Sequence, residues 1–342
     1  MDSITQAALG ASIAGSIAGK TLGRSALLTG ALLGTLPDLD VIIDYGSAVA
    51  NFTQHRGFSH SLLVLMPVSF LIAWGLWRWK PLLGYGRWLA LVGLILVTHP
   101  LLDAFTTYGT QLFWPFGQPV AVSSIFIIDP LYTLPLLAGC IAFLYQPPAA
   151  RVINAGLTLS TLYLAWTLAA QQTVMERIRP VLAQAGLEQA QLLVQPMPFN
   201  TLLWRVTAVT PEQRAEAVVG LLDGDTGPSL EYFPRRPDLA QAVTGFPEAE
   251  RLAWFTHGFV QYQQAGQHIL ATDIRLGIPG AHPFTFTLAQ DSGQGWQPVT
   301  SARAPRPPLN REALPLLWQR ITGETPVLCL ATLSVPPQGG SC

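Results

Sequence analysis

Histidine and aspartate recur in three short clusters within the apolar first half of the chain. Asp38 and Asp40 lie in L-P-D-L-D, His55 and His60 in H-R-G-F-S-H-S, and His99 and Asp103 in H-P-L-L-D. Ionisable groups inside segments of membrane length are costly and tend to mark working sites. Imidazole nitrogen and carboxylate oxygen, with no thiolate beside them, are donors for hard or borderline metal ions. A divalent ion held by such a set would polarise a scissile group and lower the pKa of a bound water, while a free Asp could act as general base. The expected ligands are Asp38, Asp40, His55, His60, His99 and Asp103. The expected catalytic residues are Asp38, Arg56 and Asp103, with the Arg56 guanidinium suited to a phosphate or carboxylate.

The spacings say how the clusters must be held. His99 and Asp103 are four apart and share one face of a helix. Pro100 between them removes a backbone donor and is expected to kink that helix. Asp38 and Asp40 would diverge by about 200° on a helix, so an extended segment after Pro37 is the expectation. Gly57 permits a tight turn that folds His55 toward His60, and Ser59 is the expected N-cap of the helix that follows. Each residue alone has a plainer reading. A single His60 would be an interfacial histidine, Asp129 an N-cap, Asp44 a solvated or capping group, and Arg56 a snorkelling cation. Convergence of six potential ligands at one membrane level favours the metal site.

A spanning helix needs roughly 20 mostly apolar residues. Candidates lie at about residues 25–43, 60–79, 88–107, 126–145 and 152–170. Residues 4–19 read as a short or re-entrant helix packed on the next one, with Ala11, Gly15 and Gly19 on one face and Gly30 and Gly34 on its neighbour. Lys20, Arg24, Arg78, Lys80, Arg87 and Arg151 fill one set of loops. If those loops are cytoplasmic, the three clusters and Asp129 sit together at the outer face. Trp74, Trp77, Trp79, Trp88, Trp114 and Tyr145 fall near helix ends, where interfacial aromatics belong, and Tyr108 and Phe116 read the same way.

Composition divides the chain in two. Charged residues make up 11% of its 342 residues, and the mean hydropathy is +0.35. Residues 1–171 hold only thirteen charged side chains, and no Glu occurs before Glu176. The expected architecture is an N-terminal polytopic α-helical membrane domain of about 5–6 helices over residues 1–171, a soluble α+β domain over 172–335, and a disordered tail, 336–342. In the soluble part, residues 201–209, 269–276, 284–288 and 327–333 read as strands. Residues 211–222 read as a helix capped by Thr210. Asp273 and Arg275 read as an internal salt bridge. The net charge of −1, with no basic stripe, argues against a nucleic-acid partner. Cys140 reads as packing, and Cys329 with Cys342 either as a bridge or as unpaired residues near a frayed end. No cleavable signal peptide is expected from M-D-S-I-T-Q.

The motifs M-D-S-I-T-Q-A-A-L-G, G-T-L-P-D-L-D, H-R-G-F-S-H-S, H-P-L-L-D-A-F-T-T-Y-G-T-Q-L-F-W-P-F and I-I-D-P-L-Y-T, in that order, resemble the YdjM-like family of inner-membrane-associated metal-dependent hydrolases. The resemblance covers about residues 1–145. L-L-W-R-V and T-D-I-R-L-G look like the soluble extension of longer members. The resemblance implies a multi-pass protein of the bacterial inner membrane with a hydrolase site at the six residues named above. Where many members have His after M-D-x-x-T, this chain has Gln6, which is expected beside the site and not as a ligand.

The combined expectation is a membrane-bound hydrolase using a divalent ion, zinc first. It would act on a lipid or lipid-linked phosphoester at the outer face of the membrane, with the C-terminal domain on that side. Two alternatives use the same residues: an ion- or proton-coupled transporter, whose polar groups should be spread through the bilayer depth, and a scaffold in which the metal only staples helices.

Overall fold

A computed structural model describes residues 1–146, 150–224, 228–306, 313–323 and 329–330. The chain is helical to Gln184 and carries two antiparallel sheets thereafter. By contacts it divides into two units. Unit 1 comprises Met1–Ile43, Gln54–Leu168 and Pro198–Asn200; unit 2 comprises Asp44–Thr53, Ala169–Met197 and Thr201–Cys342.

Unit 1 is built from α1 (Ser3–Leu22), α2 (Ser25–Thr35), α4 (Leu62–Trp79), α5 (Tyr85–Ala104), α6 (Pro130–Tyr145) and the first part of α7 (Ala150–Gln184). The intervening α3 (Ala48–Gln54) lies almost wholly in unit 2. Helices α4, α5 and α7 are long and apolar enough to cross a membrane, while α2 and α6 are shorter apolar helices. The outward side chains fit that setting: Leu63, Met66, Phe70, Leu71 and Trp74 of α4 are exposed and apolar. The core is made by Ala8, Leu9, Ile13 and Ala14 of α1 with Trp88, Leu91, Val92, Ile95 and Leu96 of α5.

Several boundaries depart from those expected. The first segment is longer than expected, a 20-residue helix N-capped by Asp2 through the Ile4 and Thr5 amides. The segment at residues 25–43 is helical only to Thr35. Pro37 cannot continue the α ladder, and Pro37–Ile42 forms a 3-10 helix, not the extended segment expected for Asp38 and Asp40. Ser61, not Ser59, occupies the N-cap position of α4, because Phe58–His60 is itself a 3-10 turn. Helix α5 continues through Pro100 to Ala104. Asp129 caps α6, accepting from the Leu131 and Tyr132 amides.

The small residues pack differently from the simple stripe. A Cβ on Gly30 would collide with the Gly10 carbonyl, and one on Gly34 would lie 2.5 Å from the Gln6 carbonyl oxygen. Gly10 is therefore the α1 residue against which α2 closes. Gly15 faces Leu27 and Ile153, and Gly19 faces the Phe143 ring.

Unit 2 has two four-stranded meanders, β1 (Gln191–Pro196) to β4 (Glu231–Pro234) and β5 (Val260–Ala265) to β8 (Trp296–Arg303). Helix α7 does not stop at residue 170. Ala170, Val174, Ile178 and Leu182, at four-residue spacing, form a stripe on the first sheet against Val194, Trp204, Val206, Ala208 and Ala217. The helix expected at 211–222 is instead strand β3 (Gln213–Gly220), paired in register with β2 (Leu203–Val209). Its period is two: Ala215, Ala217 and Val219 face α7, and Arg214, Glu216 and Val218 face away. Thr210 caps nothing; its hydroxyl accepts from the Gln213 amide in the hairpin turn. Asp273 and Arg275 form the expected internal pair at 2.8 Å. Cys140 is buried and free. Most of the strand expected at 327–333, the tail and Cys342 lie outside the described residues.

Candidate metal centre

Four side chains meet at one end of unit 1: Asp38 after α2, His60 before α4, and His99 and Asp103 on the last turns of α5. One donor atom from each lies within 4.8 Å of the others. His60 Nε2 stands 3.1 Å from His99 Nε2, 3.2 Å from Asp103 Oδ2 and 3.4 Å from Asp38 Oδ1. His99 Nε2 stands 3.4 Å from both carboxylates. Three of the groups are buried, and the Asp38 side chain retains 18% exposure.

The hydrogen-bond partners decide what these atoms can do. His99 Nδ1 is 2.6 Å from the Gly34 carbonyl, which can only accept, so the ring proton of neutral His99 sits there. Ser59 donates its hydroxyl to Asp40 Oδ2 at 2.6 Å and is 2.9 Å from His60 Nδ1, so its lone pair receives the His60 proton. Both Nε2 atoms are left as bare lone pairs aimed at each other and at two carboxylate oxygens. Asp103 Oδ2 is buried with no hydrogen-bond donor. A convergence of acceptors without a donor is what a cation relieves. Zinc bonds of about 2.0–2.1 Å set tetrahedral edges of about 3.3–3.4 Å, close to the separations observed. The residues present therefore fit a divalent ion.

Around this group lies a supporting layer that orients the four side chains. Asp103 Oδ1 receives the Met1 ammonium, Gln6 Nε2 at 3.0 Å and Arg56 Nη2 at 3.3 Å, which turns Oδ2 toward the histidines. Asp40 and His55 are close by but outside the group of four. His55 Nδ1 donates to Asp40 Oδ1 at 2.8 Å, and the Arg56 amide donates to Asp40 Oδ2 at 3.0 Å. Arg56 is 3% exposed and is occupied by Asp103 and Thr106 Oγ1. Its backbone is held at φ 59° between the Asp40 contact and the Gln111 amide, which donates to its carbonyl at 3.0 Å. For a non-glycine residue that conformation costs about 1–3 kcal/mol and persists only when its surroundings enforce it.

Sequence reasoning places Gln6 as a neighbour, and so it is, with Nε2 on Asp103 and Oε1 buried without a partner. It misses the bridging role of Ser59, although the adjacency Ser59–His60 was visible. It could not find the Gly34 carbonyl, which is backbone. Asp44 contacts Gly46 and Asn51 and takes no part in the group.

These features define a helical membrane protein with a buried two-His, two-Asp group able to hold a metal ion. The family model of the YdjM inner membrane protein matches residues 1–174, and the chain belongs to that family. Inner membrane protein YbcI of Escherichia coli (strain K12) is 38% identical over 89 residues, 26% of this chain and 51% of that protein. The uncharacterized protein YfhP of Bacillus subtilis (strain 168) is 27% identical over 172 residues, 48% of this chain and 51% of that protein. The chain thus spans about half the length of the curated relatives it matches. No solved structure matches.

Proposed function

We propose that this chain is a membrane-bound metal-dependent hydrolase, acting on a lipid or lipid-linked phosphoester at the outer face of the bacterial inner membrane, with zinc as the ion. The observation that carries the reading is the set of four acceptor groups, both imidazoles having their Nδ1 protons committed elsewhere. Asp38, His60, His99 and Asp103 hold the ion, with Asp40 and His55 behind them. A divalent ion there supplies Lewis acidity, polarising a phosphoryl oxygen and acidifying water. In this reading Asp38, the most exposed of the four, takes a proton from attacking water. Arg56 fixes Asp103 and balances its charge. The exposed apolar residues Leu39, Val41 and Ile42, next to Asp38 and Asp40, suit an amphiphilic substrate.

The side of the membrane follows from connectivity and charge. Lys20, Arg24, Arg78, Lys80, Arg87 and Arg151 lie at the helix ends away from the group, which favours a non-cytoplasmic site. The segment Asp44–Thr53 lies in the same inter-helix loop as Asp40 and His55 and folds within unit 2, which supports a C-terminal domain on that side too.

Purified full-length protein should contain about one equivalent of metal and cleave a phospholipid diester. His99→Ala and Asp103→Ala should each lose both properties. Wild-type levels of metal and turnover in those variants would sink the reading. A second reading, the metal-stapled scaffold, is favoured by the burial of His60, His99 and Asp103. It predicts stoichiometric zinc with no turnover on any phosphoester, and a large loss of thermal stability on chelation.

A further inference from the structure

The hairpin that joins β1 to β2 carries an apolar tip. Residues 197–202 read M-P-F-N-T-L, without a charge. The two strands belong to unit 2, but Pro198–Asn200 belongs to unit 1.

Phe199 is the unusual residue of this tip. Its backbone sits at φ 65°, in the left-handed region, although the adjacent Asn200 is of the type that tolerates that region better. For a bulky side chain the conformation costs about 1–3 kcal/mol. The Phe199 ring meets Phe126 edge to face, with centroids 5.4 Å apart, and is still 55% exposed. In water, strain that holds an aromatic ring half in solvent gains little. At a membrane boundary the same exposure is favourable.

The level of Phe126 follows from α6. Its 16 residues rise about 24 Å, roughly 6 Å less than a hydrocarbon core of about 30 Å. At the C-terminal end of α6, the Arg24 guanidinium donates to the Leu144 carbonyl at 2.9 Å, which marks the polar side of the boundary there. The missing length therefore falls at the other end. Phe126, Ile127 and Ile128 precede α6 and reach at most about 10 Å, and both isoleucines are exposed. No charged residue lies between Asp103 and Asp129. Asp129 itself is buried and needs no water at this level. Its carboxylate accepts from the Leu131 and Tyr132 amides and from the Tyr163 hydroxyl. Exposed Leu131 follows it, and α1 adds exposed Ile4 beside Thr5, whose hydroxyl meets that of Thr133 at 2.7 Å. Phe199 thus touches unit 1 where hydrocarbon gives way to headgroups, the level at which aromatic rings concentrate.

We propose that the β1–β2 hairpin tip is a membrane-interface anchor, in which Phe199, seated on Phe126, enters the headgroup–acyl boundary of the bilayer beside Ile127, Ile128 and Leu131. The anchor is independent of the metal group and of the hydrolase reading.

The test uses the full chain in phosphatidylcholine nanodiscs, with trifluoromethyl-phenylalanine in place of Phe199. The same label in place of Tyr232 on β4, which is 53% exposed, is the matched control. Fluorine NMR reads relaxation by two reagents: phosphatidylcholine spin-labelled near the top of its acyl chain, and a gadolinium chelate confined to water. The label at 199 should broaden with the lipid reagent and be shielded from the chelate, and the label at 232 should show the reverse order. If both labels respond to the chelate alone, Phe199 faces water and the proposal falls. If neither reagent reaches 199, protein covers the ring, from this chain or a second copy, and the proposal falls equally. Unsubstituted protein gives a second measurement that no folding defect can obscure. Phosphatidylcholine with a photoactivated diazirine at the same depth should crosslink to the peptide containing residues 197–202. Phe199→Asn suits the backbone but removes the ring, and should lose most of that adduct. Adducts confined to the spanning helices, or undiminished in Phe199→Asn, would overturn the anchor.

Discussion

At the scale of single residues, two aspartates two positions apart do different work. Asp38 presents an oxygen to both histidines, while Asp40 spends its oxygens on His55, Ser59 and the Arg56 amide. The 3-10 turn makes the difference, because residues i and i+2 point apart on a helical backbone. Asp40 thus acts on the metal group through Ser59, which fixes the proton of His60. If the group holds a divalent ion as proposed, Asp40→Asn should keep the fold but raise the metal dissociation constant by about 10–100-fold, the usual cost of losing such a support. Competition against a chromophoric chelator measures it. Unchanged affinity would mean that His60 holds its orientation without help.

At the scale of elements, the metal group is set by how closely α1, α2 and α5 approach. Gly30 and Gly34 let the α2 backbone lie against Gly10 and Gln6, and the Gly34 carbonyl receives the His99 ring. In a bilayer such small-residue contacts replace the hydrophobic drive available in water. Gly30→Ala places a methyl against the Gly10 backbone, which cannot rotate away as a side chain could. The expected cost is about 1–3 kcal/mol, read as a lower melting temperature in detergent, together with weaker metal binding as the Gly34 carbonyl shifts from His99. A Gly93→Ala control, where the nearest neighbour is the Ser69 hydroxyl at 3.9 Å, should be close to neutral.

At the scale of the whole molecule, the segment between Asp40 and His55 is threaded into unit 2. Phe52 packs against Phe255, Phe284 and Phe286 with centroids 4.6–5.3 Å apart. Arg251 donates to the Thr53 hydroxyl and carbonyl, and the Val49 amide donates to Ser301. Chain connectivity therefore ties the Asp40–His55 pair to the folding of the C-terminal domain. Phe52→Ala should destabilise unit 2 by about 3–5 kcal/mol, as expected for a buried aromatic, and also lower metal affinity. Hydrogen exchange of the β5–β8 sheet and chelator competition report the two effects separately. Loss of sheet protection with unaltered metal affinity would show that the linker transmits nothing.

The sequence by itself determined the two-part character of the chain, the apolar helices, and the residue types gathered at the metal group. Those signals are local: composition, apolar run length, and an i,i+4 pair on one helix. The internal Asp273–Arg275 pair and the Asp129 cap were legible for the same reason. Strand β3 was misread as a helix because Pro211 and Thr210 imitate a helix start, and only pairing with β2 reveals the period of two. The division between Asp38 as a member of the group of four and Asp40 as its support, and the committed protons of His60 and His99, were decided by tertiary structure alone. Each depends on which partner sits across a gap of about 3 Å, and those partners come from chain positions far apart or from backbone atoms that residue names do not disclose.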